Sequence, residues 1–193
     1  GDRGWIGAGG YYHFMDYVAG LDDVIRQRAR DRVVLVGHSM GGSVAAYWAG
    51  TRSDRLASLV LIEGLGPPDM DGADGPSRTA MWIEAWRTGR AKQKVMPTLD
   101  DVVRRMKRHD ELLDDASAQR LAEVGTTAVD GGFAWKLDPL HNTIGPYPYR
   151  LETAKKYWAR VACPVLCIDG ARSKLNLGDH ERAVELYRKA LGS

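Results

Sequence analysis

One junction constrains this chain more than any other. Arg32-Val33-Val34-Leu35-Val36-Gly37 is a short β-branched run without polar alternation, and it passes through His38-Ser39 directly into Met40-Gly41-Gly42-Ser43-Val44-Ala45-Ala46. The first part predicts a strand buried on both faces of a parallel sheet. The second predicts a small-residue helix ending near Gly50. A further apolar run, Leu59-Val60-Leu61-Ile62-Glu63, follows at the spacing of a βαβ unit, which implies parallel strands joined by a right-handed crossover. Pro164-Val165-Leu166-Cys167-Ile168-Asp169 supplies a third run of the same kind.

Two helices are expected to flank this sheet. One precedes the first strand, with Phe14, Tyr17, Val18, Leu21, Val24 and Ile25 forming one stripe. The other spans Asp179 to Leu191, with Ala183, Val184, Tyr187 and Leu191 as its stripe and Asp179 as its N-cap. Between the second and third strands lie residues of different character. Gly64-Leu65-Gly66-Pro67-Pro68 opens them as a linker. Helices are then expected over about 76–88, 99–108, 116–124 and 148–160, with Thr98 and Asp101 resembling a capping box and 132–137 as a short extended piece. The expected organisation is a core of residues 1–63 and 163–193 with a helical cap of residues 64–162. The fold class is α/β: a parallel sheet with flanking helices and a mostly helical insertion.

Chemistry concentrates at Ser39. A serine hydroxyl is a poor nucleophile until a base takes its proton, and it must project from the backbone into a cleft. A sharp strand-to-helix turn projects it, at the cost of backbone strain, and small residues must flank such a turn. Gly37 and Gly41 stand two residues to either side of Ser39, and Gly42, Ser43, Ala45 and Ala46 continue the small surface. The Met40 N–H falls at the helix N-terminus, where it can bind a developing oxyanion.

Val34-Leu35-Val36-Gly37-His38-Ser39-Met40-Gly41-Gly42 resembles the nucleophile elbow of the α/β-hydrolase superfamily, of the capped esterase and lipase kind. Leu59 to Pro67 resembles the strand that follows, and Asp2-Arg3-Gly4 to Tyr12 the loop before the first helix. The likeness is strong over residues 1–70 and 160–175 and loose across the cap. It implies a serine hydrolase of small carboxylic esters that works through an acyl-enzyme and needs no cofactor. In this superfamily the dehalogenases and epoxide hydrolases use an aspartate nucleophile, so Ser39 argues against those two chemistries.

The rest of the pattern departs from the family's. Its acid usually follows the third strand in a G-x-x-D turn, but here that turn reads Gly170-Ala171-Arg172-Ser173. Some branches place the acid at the end of the strand after the elbow, which is Glu63. Asp169 is the alternative. The family's histidine comes after a further strand. His13, His38, His109 and His141 precede that place in the chain order, and His180 comes one strand too early. The base is therefore expected beyond Ser193. The other oxyanion donor is expected before Gly1, in a chain that begins without Met and reads as a fragment cut at both ends.

The remaining residues bound partners and location. A net charge of +2 gives no footprint for nucleic acid or a membrane surface, and no apolar run reaches bilayer length. Cys163 and Cys167 read as small buried hydrophobes in a reducing, cytoplasmic compartment, with too few neighbouring ligands for a metal. Trp82, Trp86, Trp135, Tyr147, Tyr149 and Trp158 are packing residues or the lining of a pocket over Ser39. Arg104, Arg105, Lys107 and Arg108, followed by Asp110, Glu111, Asp114 and Asp115, read as a self-compensating surface. Unpaired sheet edges are expected to promote self-association. A non-catalytic binding module, or a hydrolase of amide, thioester or carbon–carbon bonds, fits the same residues.

Overall fold

A computed structural model describes residues 5–7, 10–29, 31–64, 66–67, 75–88 and 93–170. Its elements, in chain order, are α1 (Phe14–Arg28), β1 (Val33–His38), α2 (Met40–Thr51), β2 (Leu56–Ile62), α3 (Gly75–Thr88), β3 (Val95–Met96), α4 (Leu99–His109), α5 (Asp115–Gly125), β4 (Thr126–Val129), β5 (Gly132–Trp135), α6 (Leu151–Trp158) and β6 (Val165–Ile168). They form two compact units. Gly1–Tyr12 groups with Pro76–Pro146, and His13–Gly75 with Tyr147–Ser193. The expected helix over 179–191 lies outside the described residues.

The second of these units holds the parallel sheet, in the order β1-β2-β6. His38 pairs with Ile62, and Ile62 with Ile168, so all three strands end at one edge. One face of the sheet is packed. Leu35, Leu59, Leu61, Val165 and Cys167 meet Ile25 of α1, Ala45 to Ala49 of α2, and Ala154 and Trp158 of α6. The other face carries Val34, Val36, Leu166 and Ile168, which are 63%, 59%, 56% and 44% exposed. Burial of β1 on both faces is therefore corrected: among the described residues the helices cover one face.

Small side chains let α2 lie close to its neighbours. A Cβ on Gly50 would stand 2.2 Å from the Tyr157 carbonyl oxygen, and the rings of Tyr47 and Tyr157 stack at 4.2 Å. The helix expected over 148–160 is thus shorter, and it belongs to the sheet unit rather than to the insertion. A partly buried polar tie joins α1 to α2. The Trp48 indole N–H donates to Asp22 Oδ1 at 2.9 Å, and Arg26 pairs with the same carboxylate.

The unit containing residues 76–146 is less helical than its sequence implies. The extended piece at 132–137 is strand β5, the centre of an antiparallel sheet ordered β3-β5-β4. A two-residue loop, Asp130-Gly131, joins β4 to β5, with Gly131 at φ 79°. Gly132 lies so close to β3 that a Cβ there would stand 2.1 Å from the Met96 oxygen. Helix α4 begins with the expected capping box: Asp101 N–H donates to Thr98 Oγ1, and Thr98 N–H donates to the Asp101 carboxylate. Two of its basic residues are compensated locally, Arg104 on Asp101 and Lys107 on Asp115. No helix among the described residues is long and apolar enough to cross a membrane.

Candidate active site

Ser39 belongs to a strand and a helix at once. Its N–H donates to the Ile62 carbonyl at 2.9 Å, which extends the β1–β2 ladder by one residue. Its own carbonyl accepts from Gly42 and Ser43 N–H, which closes the first turn of α2. No loop residue intervenes, so the backbone turns within the serine itself, at φ 52° and ψ −126°. That conformation costs a side-chain-bearing residue roughly 1–3 kcal/mol and persists only where its surroundings over-determine it.

Three glycines supply those surroundings. A Cβ on Gly37 would stand 2.6 Å from the Gly41 oxygen and 2.7 Å from Gly42 Cα, and one on Gly42 would stand 2.5 Å from Gly64 Cα. Gly41, expected to share the crowding, has open space where its Cβ would be. The steric requirement on the helix side therefore falls on Gly42. Gly64, on β2's exit, is its partner. Its contact joins residues 22 apart, and no local pattern announces it.

Glu63 is the mirror of Ser39 on the next strand. It follows Ile62 as Ser39 follows His38, so the two residues leave adjacent strand ends at the same edge, where parallel backbones run about 4.8 Å apart. Glu63 has φ 47°, and among the described residues it and Ser39 are the non-glycine positions with positive φ. Its N–H donates to the Ile168 carbonyl at 2.8 Å, and its Oε1 accepts from Gly170 N–H at 3.1 Å. Asp169 sits at the end of β6, one strand further from Ser39 in the order β1-β2-β6.

Met40 is the first residue of α2. At that position a helical N–H has no acceptor within its own helix. His38 is the exposed last residue of β1. His13 precedes α1, with its N–H on the Asp16 carboxylate. His109 ends α4, in the other unit. His141, also in that unit, stacks on Tyr12 at 3.7 Å. Burial holds its imidazole below the ordinary range, against the opposing pull of Asp138. His180 lies outside the described residues.

The aromatics expected in the insertion divide by role. Trp158 is core of the sheet unit and Trp135 packs with Met96 and Val102, while Tyr147 is exposed. Trp82 contacts Tyr11 edge-on and stacks near Trp86. A cavity of about 280 Å³ in the sheet unit is lined by Asp22, Trp48, Arg26, Arg52 and Arg55. It lies where α1 and α2 end, whereas Ser39 stands where α2 begins. Among the described residues no group of three or more His, Cys, Asp or Glu could hold a metal ion. Both cysteines are free thiols.

A parallel sheet with a strained serine at the turn from strand to helix defines the class: an α/β protein whose first strand passes directly into a helix at that serine. The sequence profile of the alpha/beta hydrolase family matches residues 2–189, and the chain belongs to that family. A serine hydrolase-like protein of Danio rerio is 28% identical over 134 residues, covering 67% of this chain and 41% of that protein. A haloalkane dehalogenase of Mycolicibacterium smegmatis is 31% identical over 86 residues, 45% of this chain and 27% of the enzyme. Among solved structures, a hypothetical protein of Pseudomonas aeruginosa PAO1 superposes with a TM-score of 0.81 at 27% identity, covering 95% of this chain and 64% of that one. A thioesterase domain from the curacin biosynthetic pathway superposes with a TM-score of 0.79, covering 94% of this chain and 64% of that domain. At 20% identity, that likeness shows the fold alone. The chain thus spans less than two thirds of the length of the relatives it matches.

Proposed function

We propose that this chain carries the nucleophile and the acid of a serine hydrolase that cleaves small carboxylic esters through an acyl-enzyme. The observation that carries the reading is the backbone of Ser39 and Glu63. Both are non-glycine residues held at positive φ, and they stand at adjacent strand ends. Strain of this kind collects at working sites. Ser39 Oγ attacks the ester carbonyl carbon while a histidine takes its proton, and the alcohol leaves with that proton. Water then attacks the acyl carbon, restores the Ser39 hydroxyl and releases the acid. The Met40 N–H contributes to the oxyanion hole. Glu63 holds the histidine in its working tautomer. Position favours it over Asp169, because it is one strand from Ser39 rather than two. A serine at the elbow also separates this chain from the aspartate chemistry of the dehalogenases.

The test is hydrolysis of p-nitrophenyl acetate and butyrate by the 193-residue chain beside Ser39→Ala, Glu63→Gln and His180→Ala. Where the chain turns over ester, the reading expects Ser39→Ala to lower kcat by on the order of 10⁴ or more. Loss in His180→Ala would make that residue the base. Equal, measurable turnover by the chain and its Ser39→Ala variant would overturn the reading, whereas no turnover by either is what a base beyond Ser193 predicts.

A further inference from the structure

Three attachments hold the turn that carries Glu63, and they come from three different parts of the sheet unit. Gly64 touches Gly42, three residues after Ser39. The Glu63 carboxylate accepts from Gly170 at the exit of β6. The third attachment is a side chain. Gly66 has φ 95°, and a Cβ there would stand 2.6 Å from the Tyr149 hydroxyl and 2.7 Å from its Cζ. The end of the Tyr149 ring therefore rests on the Gly66 backbone.

Tyr149 is well placed to hold this turn rigidly. It stands two residues before α6, and its ring packs on the core. Helix α6 in turn rides on α2 through the Tyr47–Tyr157 stack and the close approach at Gly50. Ser39 opens α2. A continuous path of packed groups thus links the nucleophile's helix, through α6 and Tyr149, to the turn that follows Glu63. A left-handed glutamate would relax without such surroundings.

We propose that Tyr149 is a positioning residue: it clamps Gly66 and so fixes the Glu63 carboxylate relative to Ser39. This role rests on the reading of Glu63 as the acid, whereas the clamp itself rests on geometry alone.

Backbone ¹⁵N relaxation on the whole chain tests the clamp without requiring turnover. Tyr149→Leu keeps apolar packing but is too short to reach Gly66. The order parameters of Glu63 and Gly66 are expected to fall from about 0.85 to below about 0.6, with β1 and β2 unchanged. Tyr149→Phe, which keeps the ring, is expected to restore them. Should Tyr149→Leu fail to fold, Tyr149→Met gives the same readout. In ester hydrolysis the shortened variant should lose roughly 10-fold to 100-fold in kcat, with KM changed less than about twofold. Unchanged order parameters in a folded variant would overturn the proposal. Equal, measurable ester turnover by the unaltered chain and Ser39→Ala would overturn the hydrolase reading alone, and the order parameters would still decide the clamp.

Discussion

Gly42 and Gly64 meet backbone to backbone, so closely that a methyl on Gly42 would lie 2.5 Å from Gly64 Cα. This contact locks the first turn of α2, which Ser39 precedes, against the exit of the neighbouring strand. Gly42→Ala has no flexible neighbour to displace. It is expected to destabilise the chain by about 1–3 kcal/mol, as overpacking does, and to abolish any esterase activity. Gly41→Ala meets open space and should stay within about 1 kcal/mol of the unaltered chain. Urea denaturation of the two variants side by side checks the contrast.

Ser39 pays for its position in backbone strain, at φ 52°. Glycine adopts such angles freely. Ser39→Gly is therefore expected to be more stable than Ser39→Ala by about 1 kcal/mol, although both remove the hydroxyl. The check is the difference in thermal midpoint between these two variants. Equal midpoints would show that the elbow is not strained.

Asp22 is the acceptor for the indole N–H of Trp48, a residue 1% exposed. Its pKa is held down first by that hydrogen bond and then by Arg26 and Arg52, against the opposing effect of burial. Asp22→Ala leaves a buried donor unpaired and should cost about 1–3 kcal/mol. Asp22→Asn keeps an acceptor and should cost less. Chemical denaturation of both variants measures the gap.

His141 sets a pH dependence. Its imidazole lies on the Tyr12 ring, with Asp138 as the charged side chain acting on it. Burial lowers its pKa in the folded state, so the unfolded chain binds the proton more readily. The stability this group contributes is present above its unfolded value of about 6.5 and is lost as pH falls below it. The urea midpoint should drop between pH 7.5 and 5.5, and His141→Phe should flatten that drop. An unchanged pH slope in the variant would refute the assignment.

The hairpin at Asp130-Gly131 shows how the sequence can be legible and still be misread. Asp-Gly between short apolar runs signals a hairpin, yet β3 and β4 are only two and four residues long. Runs so short carry no period, and the surrounding helices dominate the pattern. The placement of α6 was hidden for a different reason. Its apolar stripe announces a buried face, but a stripe does not name the partner, and Tyr157 found Tyr47 of α2.

The sequence by itself determined the strand-serine-helix junction, the parallel βαβ order and the start of α4, because β-branching, small residues and capping act between near neighbours. Only the tertiary structure decided which glycine is indispensable, that Glu63 shares Ser39's strained backbone, and that Tyr149 rests on Gly66. Those facts depend on contacts between segments from 22 to more than 80 residues apart, where a missing Cβ in one segment matters only because another backbone occupies its space.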